Sequence, residues 1–189
     1  MLIQKLTLSA LFTALIAILA QVAVPVPFSP VPFTGQVVGV LLAGALLGKR
    51  AAVLSVTAYL LLGAAGAPVF SLARGGFYML TGPTGGYLWG FIPAVFLTAL
   101  LLENKTEPSY YRAASANLAA LAAIYLCGAF QLSLIMGYDT AQVLLVGVIP
   151  FLPADLLKAA LAVFLGRQIR RSLRRNGLGH IVGGSREPA

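Results

Sequence analysis

The chain is 189 residues long, 59% apolar and only 10% charged, with a mean hydropathy of +0.92, which excludes a soluble globular domain because such domains carry about 25% charged residues. The net charge of +8 does not point to nucleic acid, since the cations are confined to loops and the C-terminal tail, where the positive-inside rule accounts for them. A single cysteine, Cys127, excludes a disulfide framework, and the single histidine, His180, lies in the polar tail and argues against a histidine metal site.

The first apolar run, Leu6 to Val24, ends in Pro-Val-Pro with no short small-residue cleavage site, so it reads as a retained helix over about residues 7–24. Ala10, Ala14 and Ala17 recur at i, i+4 and i+7 and form a smooth stripe that lets another helix backbone come close in lipid. Residues 25–34 carry four prolines, cannot be helical and read as a stiff, uncharged connector. A second helix follows over about 36–48, short for a full span, with Gly39, Gly44 and Gly48 marking close packing. Lys49-Arg50 reads as a charged hinge, making a tight antiparallel hairpin with a third helix over about 51–63.

Residues 64–86 form the longest irregular segment. It is glycine-rich yet holds Phe70, Phe77, Tyr78, Met79 and Leu80, so it is expected to fold back onto the protein as a lid or binding loop. A fourth helix begins at Gly85 or Gly86, with Thr84 as the expected N-cap, and runs to Leu102. Tyr87 and Trp89 near its start suit an interfacial aromatic belt. After a polar connector over 103–112 comes an alanine-rich fifth helix over about 113–136, then a turn at 137–140. The sixth and last helix runs from about 141 and extends past the membrane through 167–175. Residues 1–175 thus read as one six-helix membrane domain, and 176–189 as a disordered cytoplasmic tail.

Six crossings put both termini on one side. Placing them in the cytoplasm leaves 11 basic residues inside and only Arg74 outside, with Lys158 buried, so the termini are expected inside. The Pro-rich connector, the Gly-rich segment and the 137–140 turn then face out.

Asp155 and Lys158 stand out because they interrupt the last apolar run at membrane depth. Their i, i+3 spacing puts both on one helix face, and Pro150 and Pro153 just upstream free backbone carbonyls. An ionisable group near the bilayer centre costs on the order of 3 kcal/mol or more, so the pair reads either as the floor of a substrate pocket or as a structural ion pair. Gln36, at the start of the second helix, reads equally as a ligand contact or a helix-start hydrogen bond, and Arg74 as a ligand contact or a solvated loop residue. The N-terminal amides of the fourth helix, at Gly85 and Gly86, point outward and suit a carboxylate. No nucleophile–base pair, metal cluster or phosphate loop is visible, which speaks against an enzyme and against a resident cofactor.

Taken in order, Pro25-Val-Pro-Phe28 with Pro32-Phe-Thr-Gly-Gln36, Gly63-Ala-Ala-Gly-Ala-Pro-Val-Phe70, Arg74-Gly-Gly76, Gly82-Pro-Thr-Gly-Gly-Tyr87 and Leu152-Pro-Ala-Asp-Leu-Leu-Lys158 resemble the biotin-specific S components of the energy-coupling factor (ECF) vitamin transporters. The resemblance implies a six-helix domain that binds biotin from outside with high affinity, together with a membrane-embedded ECF coupling protein and two cytoplasmic ATPase subunits as partners. It implies ligand contacts by Asp155 and Lys158 and docking of the coupling protein on Ala10 and Ala14. The chemistry agrees: biotin's ureido ring offers two N–H donors and one carbonyl, which a carboxylate and an ammonium complement. Phe70, Tyr78 and Tyr87 could wall the apolar rings, with the valerate carboxylate toward Arg74 or the fourth helix. The alternatives are a stand-alone secondary transporter of biotin or another small carboxylate vitamin, with Asp155 as a proton relay, a membrane enzyme, and a purely structural bundle.

Overall fold

The computed structural model describes residues 2–103 and 107–176; Lys105, His180, Arg186 and the expected tail from 177 onward lie outside the described residues. The first helix, α1 (Leu2–Gln21), contains neither proline nor glycine. A two-stranded antiparallel ribbon follows, β1 (Ala23–Val26) and β2 (Ser29–Thr34), pairing Ala23 with Thr34, Val24 with Phe33 and Val26 with Ser29. The protein is mostly helical, as expected, and this ribbon is the one departure from the all-α expectation among the described residues. A ribbon of two edge strands tolerates proline where a ladder N–H is not needed, and the register shifts at Pro25.

Helices α2 (Gln36–Leu46) and α3 (Lys49–Ala64) come next. Lys49 and Arg50 are the first turn of α3 rather than a separate hinge, and Lys49 pairs with Glu103 at 2.8 Å. Every residue of α2 except Val38 is buried. A Cβ on Gly44 would lie 2.6 Å from that of Thr98, so glycine is what lets α2 sit against its neighbour. Along α1, the buried residues Ser9, Phe12, Thr13, Ile16 and Ala20 recur at helical spacing and face α2 and α3. The Ser9 and Thr13 hydroxyls donate to the carbonyls of Ala51 (3.0 Å) and Ser55 (2.8 Å). Ala10 and Ala14 consequently lie on the exposed side.

Residues 65–84 fold back onto the protein, as expected, through a 3-10 turn at Ser71–Ala73 and the single-turn helix α4 (Tyr78–Thr81). Phe70, Met79 and Leu80 are buried beneath it. Helices α5 (Gly85–Leu102) and α6 (Tyr110–Met136) form a closely packed pair, with the backbone of α6 at Cys127 and Ile124 pressed onto Gly86 and Gly90 of α5.

The last apolar run is two helices rather than one: α7 (Thr140–Gly147), started by an Asp139/Gln142 capping box, and α8 (Leu152–Arg175). They meet at 54° across residues 148–151, which include Pro150. Proline within a helix removes an i→i−4 hydrogen bond and clashes with the preceding turn, so the chain breaks there, while Pro153 falls in the first turn of α8, where its missing N–H costs little. Among the described residues, α1, α5 and α6 are long and apolar enough to cross a membrane, and the bent α7–α8 pair makes a fourth candidate.

Candidate ligand-binding site

The break before α8 puts Asp155 in the first turn of that helix, where the positive end of the helix dipole favours a carboxylate. Asp155 is 6% exposed. Its Oδ1 accepts from Lys158 Nζ at 2.7 Å and its Oδ2 from the Tyr125 hydroxyl of α6 at 2.5 Å. Both carboxylate oxygens therefore have a charged or polar donor, as a buried carboxylate requires.

Asp155 and Lys158 line a cavity of about 60 Å³ whose other walls include Gln36, Val31, Thr34, Thr84, Tyr87, Phe91 and Phe151. A larger outer cavity of about 450 Å³ adjoins it, lined by Arg74, Tyr78, Leu72, Pro25 and Ser29 among others. Pro32, Met79 and Thr84 border both, so the two form an inner chamber and an outer vestibule. Phe151 in the chamber wall, at the break in the chain, packs against Phe33 of the ribbon, with ring centroids 4.5 Å apart.

Gln36 begins α2, but its side chain serves neither as a cap nor as a free amide. Its Oε1 accepts from Thr34 Oγ1 at 2.9 Å and its Nε2 donates to the Tyr59 hydroxyl at 2.5 Å, which in turn donates to the Val69 carbonyl at 3.2 Å. The amide is thus held in one orientation at the chamber wall. Tyr87 also lines the chamber, its hydroxyl anchored on the Gly147 carbonyl at 2.8 Å. Thr84 is the N-cap residue of α5, as expected, but its side chain makes no capping bond and the residue borders both cavities.

The structure therefore gathers Asp155, Lys158, Gln36 and Tyr87 around the inner chamber and Arg74 and Tyr78, both exposed, around the vestibule. It does not bring Phe70, Gly85 or Gly86 to either. Phe70 is fully buried beneath Gly63 and edge-on to Tyr59 at 5.4 Å. Gly85 and Gly86 pack against the Leu80 and Cys127 carbonyls, where any Cβ would collide. Tyr125 escaped the sequence reading, although a phenol in the middle of an apolar helix needs a hydrogen-bond partner and could have been matched to the buried acid.

A model of the BioY family matches residues 1–175. The chain is 40% identical over 168 residues to a protein of Thermotoga maritima named biotin transporter BioY, covering 89% of this chain and 96% of that one. It is 38% identical to a Pyrococcus horikoshii protein named probable biotin transporter BioY, over 88% of this chain and 96% of the relative. Among solved structures, the crystal structure of the S-component for biotin from an ECF-type ABC transporter matches with a TM-score of 0.83 and 32% identity, covering 89% of this chain and 92% of that one. With both sequence and fold matched over nearly their full lengths, this chain belongs to the BioY family.

Proposed function

We propose that this protein is the substrate-binding S component of an ECF-type transporter, which captures biotin at the outer face of the cell membrane for uptake. The observation that carries this reading is the buried Asp155–Lys158 pair, completed by Tyr125 and opening onto a chamber that Gln36 also lines. A ureido group meets acceptors and donors there in complementary order: Asp155 accepts from a ureido N–H, Lys158 donates to the ureido carbonyl, and the fixed amide of Gln36 offers one more polar edge. The apolar rings then lie against Phe91 and Tyr87, and the valerate carboxylate reaches into the vestibule toward Arg74.

Residues 1–175 act in this reading as one domain crossing the membrane six times with both termini in the cytoplasm. At 1.5 Å per residue, the 11-residue α2 spans only about 16 Å, short of the ~30 Å of hydrocarbon. Its burial on nearly every side removes the conflict, since protein rather than lipid surrounds it. The partners are a membrane-embedded coupling protein and two cytoplasmic ATPase subunits, with Ala10 and Ala14 on the exposed side of α1 as the docking stripe.

Calorimetric titration of the purified protein is expected to show biotin binding without ATP, and no ATPase activity from the chain alone. Silence with biotin and a clear signal with another vitamin would remove the substrate assignment. Ala14→Trp is expected to leave biotin affinity within about twofold and to abolish energised uptake, because the bulk is added on the exposed side of α1, away from both cavities. Equal loss of both activities in a folded variant would mean that the stripe serves the protein's own packing.

A further inference from the structure

The segment that borders both cavities follows a course its own residues disfavour. Leu72 (φ 61°) and Ala73 (φ 54°) are consecutive left-handed residues, and neither has the short polar side chain that eases that conformation. Such backbone persists only where its surroundings over-determine it. On one side Phe70 is buried beneath Gly63 and closes the turn by donating its N–H to the Arg74 carbonyl at 2.9 Å. On the other side stands Gln21, the last residue of α1. Its Oε1 accepts the Ala73 N–H at 2.9 Å, and its Nε2 donates to the Phe70 carbonyl at 3.2 Å and to the Ala17 carbonyl of its own helix at 3.1 Å. One side-chain amide thus bridges both ends of the strained turn and ties it to α1.

That turn is where the two cavities meet the loop. Ser71 lines the inner chamber, and Leu72 and Arg74 line the vestibule, whereas Gln21 lines neither. We propose that Gln21 is a positioning residue for the ligand: by latching the strained 71–74 turn to the end of α1, it holds Ser71, Leu72 and Arg74 around the ligand and slows ligand escape. The inference rests on the reading of the site as a biotin site.

The test compares wild type with Gln21→Leu in purified, folded protein, using biotin association and dissociation rates, melting temperature, and amide hydrogen exchange over residues 70–76. Exchange there is expected to quicken at least tenfold, and dissociation to quicken about tenfold with association changed by less than threefold. Ala73→Gly eases the left-handed conformation without touching either cavity, so Gln21→Leu/Ala73→Gly should recover at least threefold of the lost residence time. Unchanged exchange in Gln21→Leu would show that the latch does not exist. Faster exchange with an unchanged dissociation rate, or a loss of binding that merely follows a lowered melting temperature and resists rescue, would equally overturn the proposal. Should Gln21→Leu fail to fold, Gln21→Glu takes its place, keeping the acceptor for Ala73 but setting an oxygen against the Phe70 carbonyl. A wild-type protein that ignores biotin would instead defeat the functional reading, and the exchange comparison would still decide whether the latch exists.

Discussion

Asp155→Asn is expected to weaken biotin binding by about a hundredfold and to lower stability at the same time. A charge-assisted hydrogen bond contributes roughly 1.5–3 kcal/mol, and 1.4 kcal/mol is tenfold in affinity. Stability falls because Lys158, whose ammonium is 2.7 Å from the carboxylate, loses its counter-charge in a site where Asp155 is 6% exposed. Removing one member of a buried pair typically costs about 3–5 kcal/mol, whereas a matched apolar replacement of both members can be nearly neutral. Asp155→Leu/Lys158→Leu separates the two roles, but it strands the Tyr125 hydroxyl, which donates to Asp155 at 2.5 Å. The variant that should regain near-native stability therefore also carries Tyr125→Phe. A stable triple variant that still bound biotin with near-native affinity, by titration, would show the pair to be a structural lock.

Gly86→Val is expected to be the most damaging single change away from the charged groups. A Cβ at Gly86 would run into the carbonyl of Cys127, and neither atom belongs to a flexible side chain that can step aside. The closely packed helices α5 and α6 would have to part, at a cost of about 3 kcal/mol or more. The loss extends to the ligand site because Tyr87 is the next residue and its ring packs over Gly128. Gly166→Ala is the control: there a Cβ meets the methyl of Ala45 at an ordinary 3.4 Å, and no more than about 0.5 kcal/mol should change. Thermal unfolding in detergent, followed by circular dichroism, distinguishes the two; a Gly86→Val protein that melts with the wild type would refute the account of this interface.

Much of the architecture was legible because membrane helices announce themselves by length and hydropathy. The ends of α2, α3 and α5 fall within about two residues of their expected places. Asp155 and Lys158 were legible because charge at membrane depth is so costly, and Gln36 because it opens an otherwise apolar helix. The ribbon at Ala23–Thr34 was not, since prolines exclude a helix without saying what replaces it. The break before α8 was missed for a different reason. Hydropathy runs unchanged through residues 148–151, and a proline in a transmembrane run can kink a helix as readily as end it. Phe70, Gly85 and Gly86 show where glycine-rich motifs mislead: close approach of a ligand and close approach of a neighbouring backbone both require a missing side chain. Only the coordinates show that carbonyls of Leu80 and Cys127 occupy that space.

The ion pair in the inner chamber has a bearing on turnover. The ammonium of Lys158 and the carboxylate of Asp155 neutralise each other. On the biotin reading proposed above, vacating the chamber therefore exposes no unbalanced charge. The same pair uses the groups that a ureido ligand would need, so binding has to part the two ions. Capture and release can, on that reading, share one set of side chains, with the difference supplied by whatever parts the two ions.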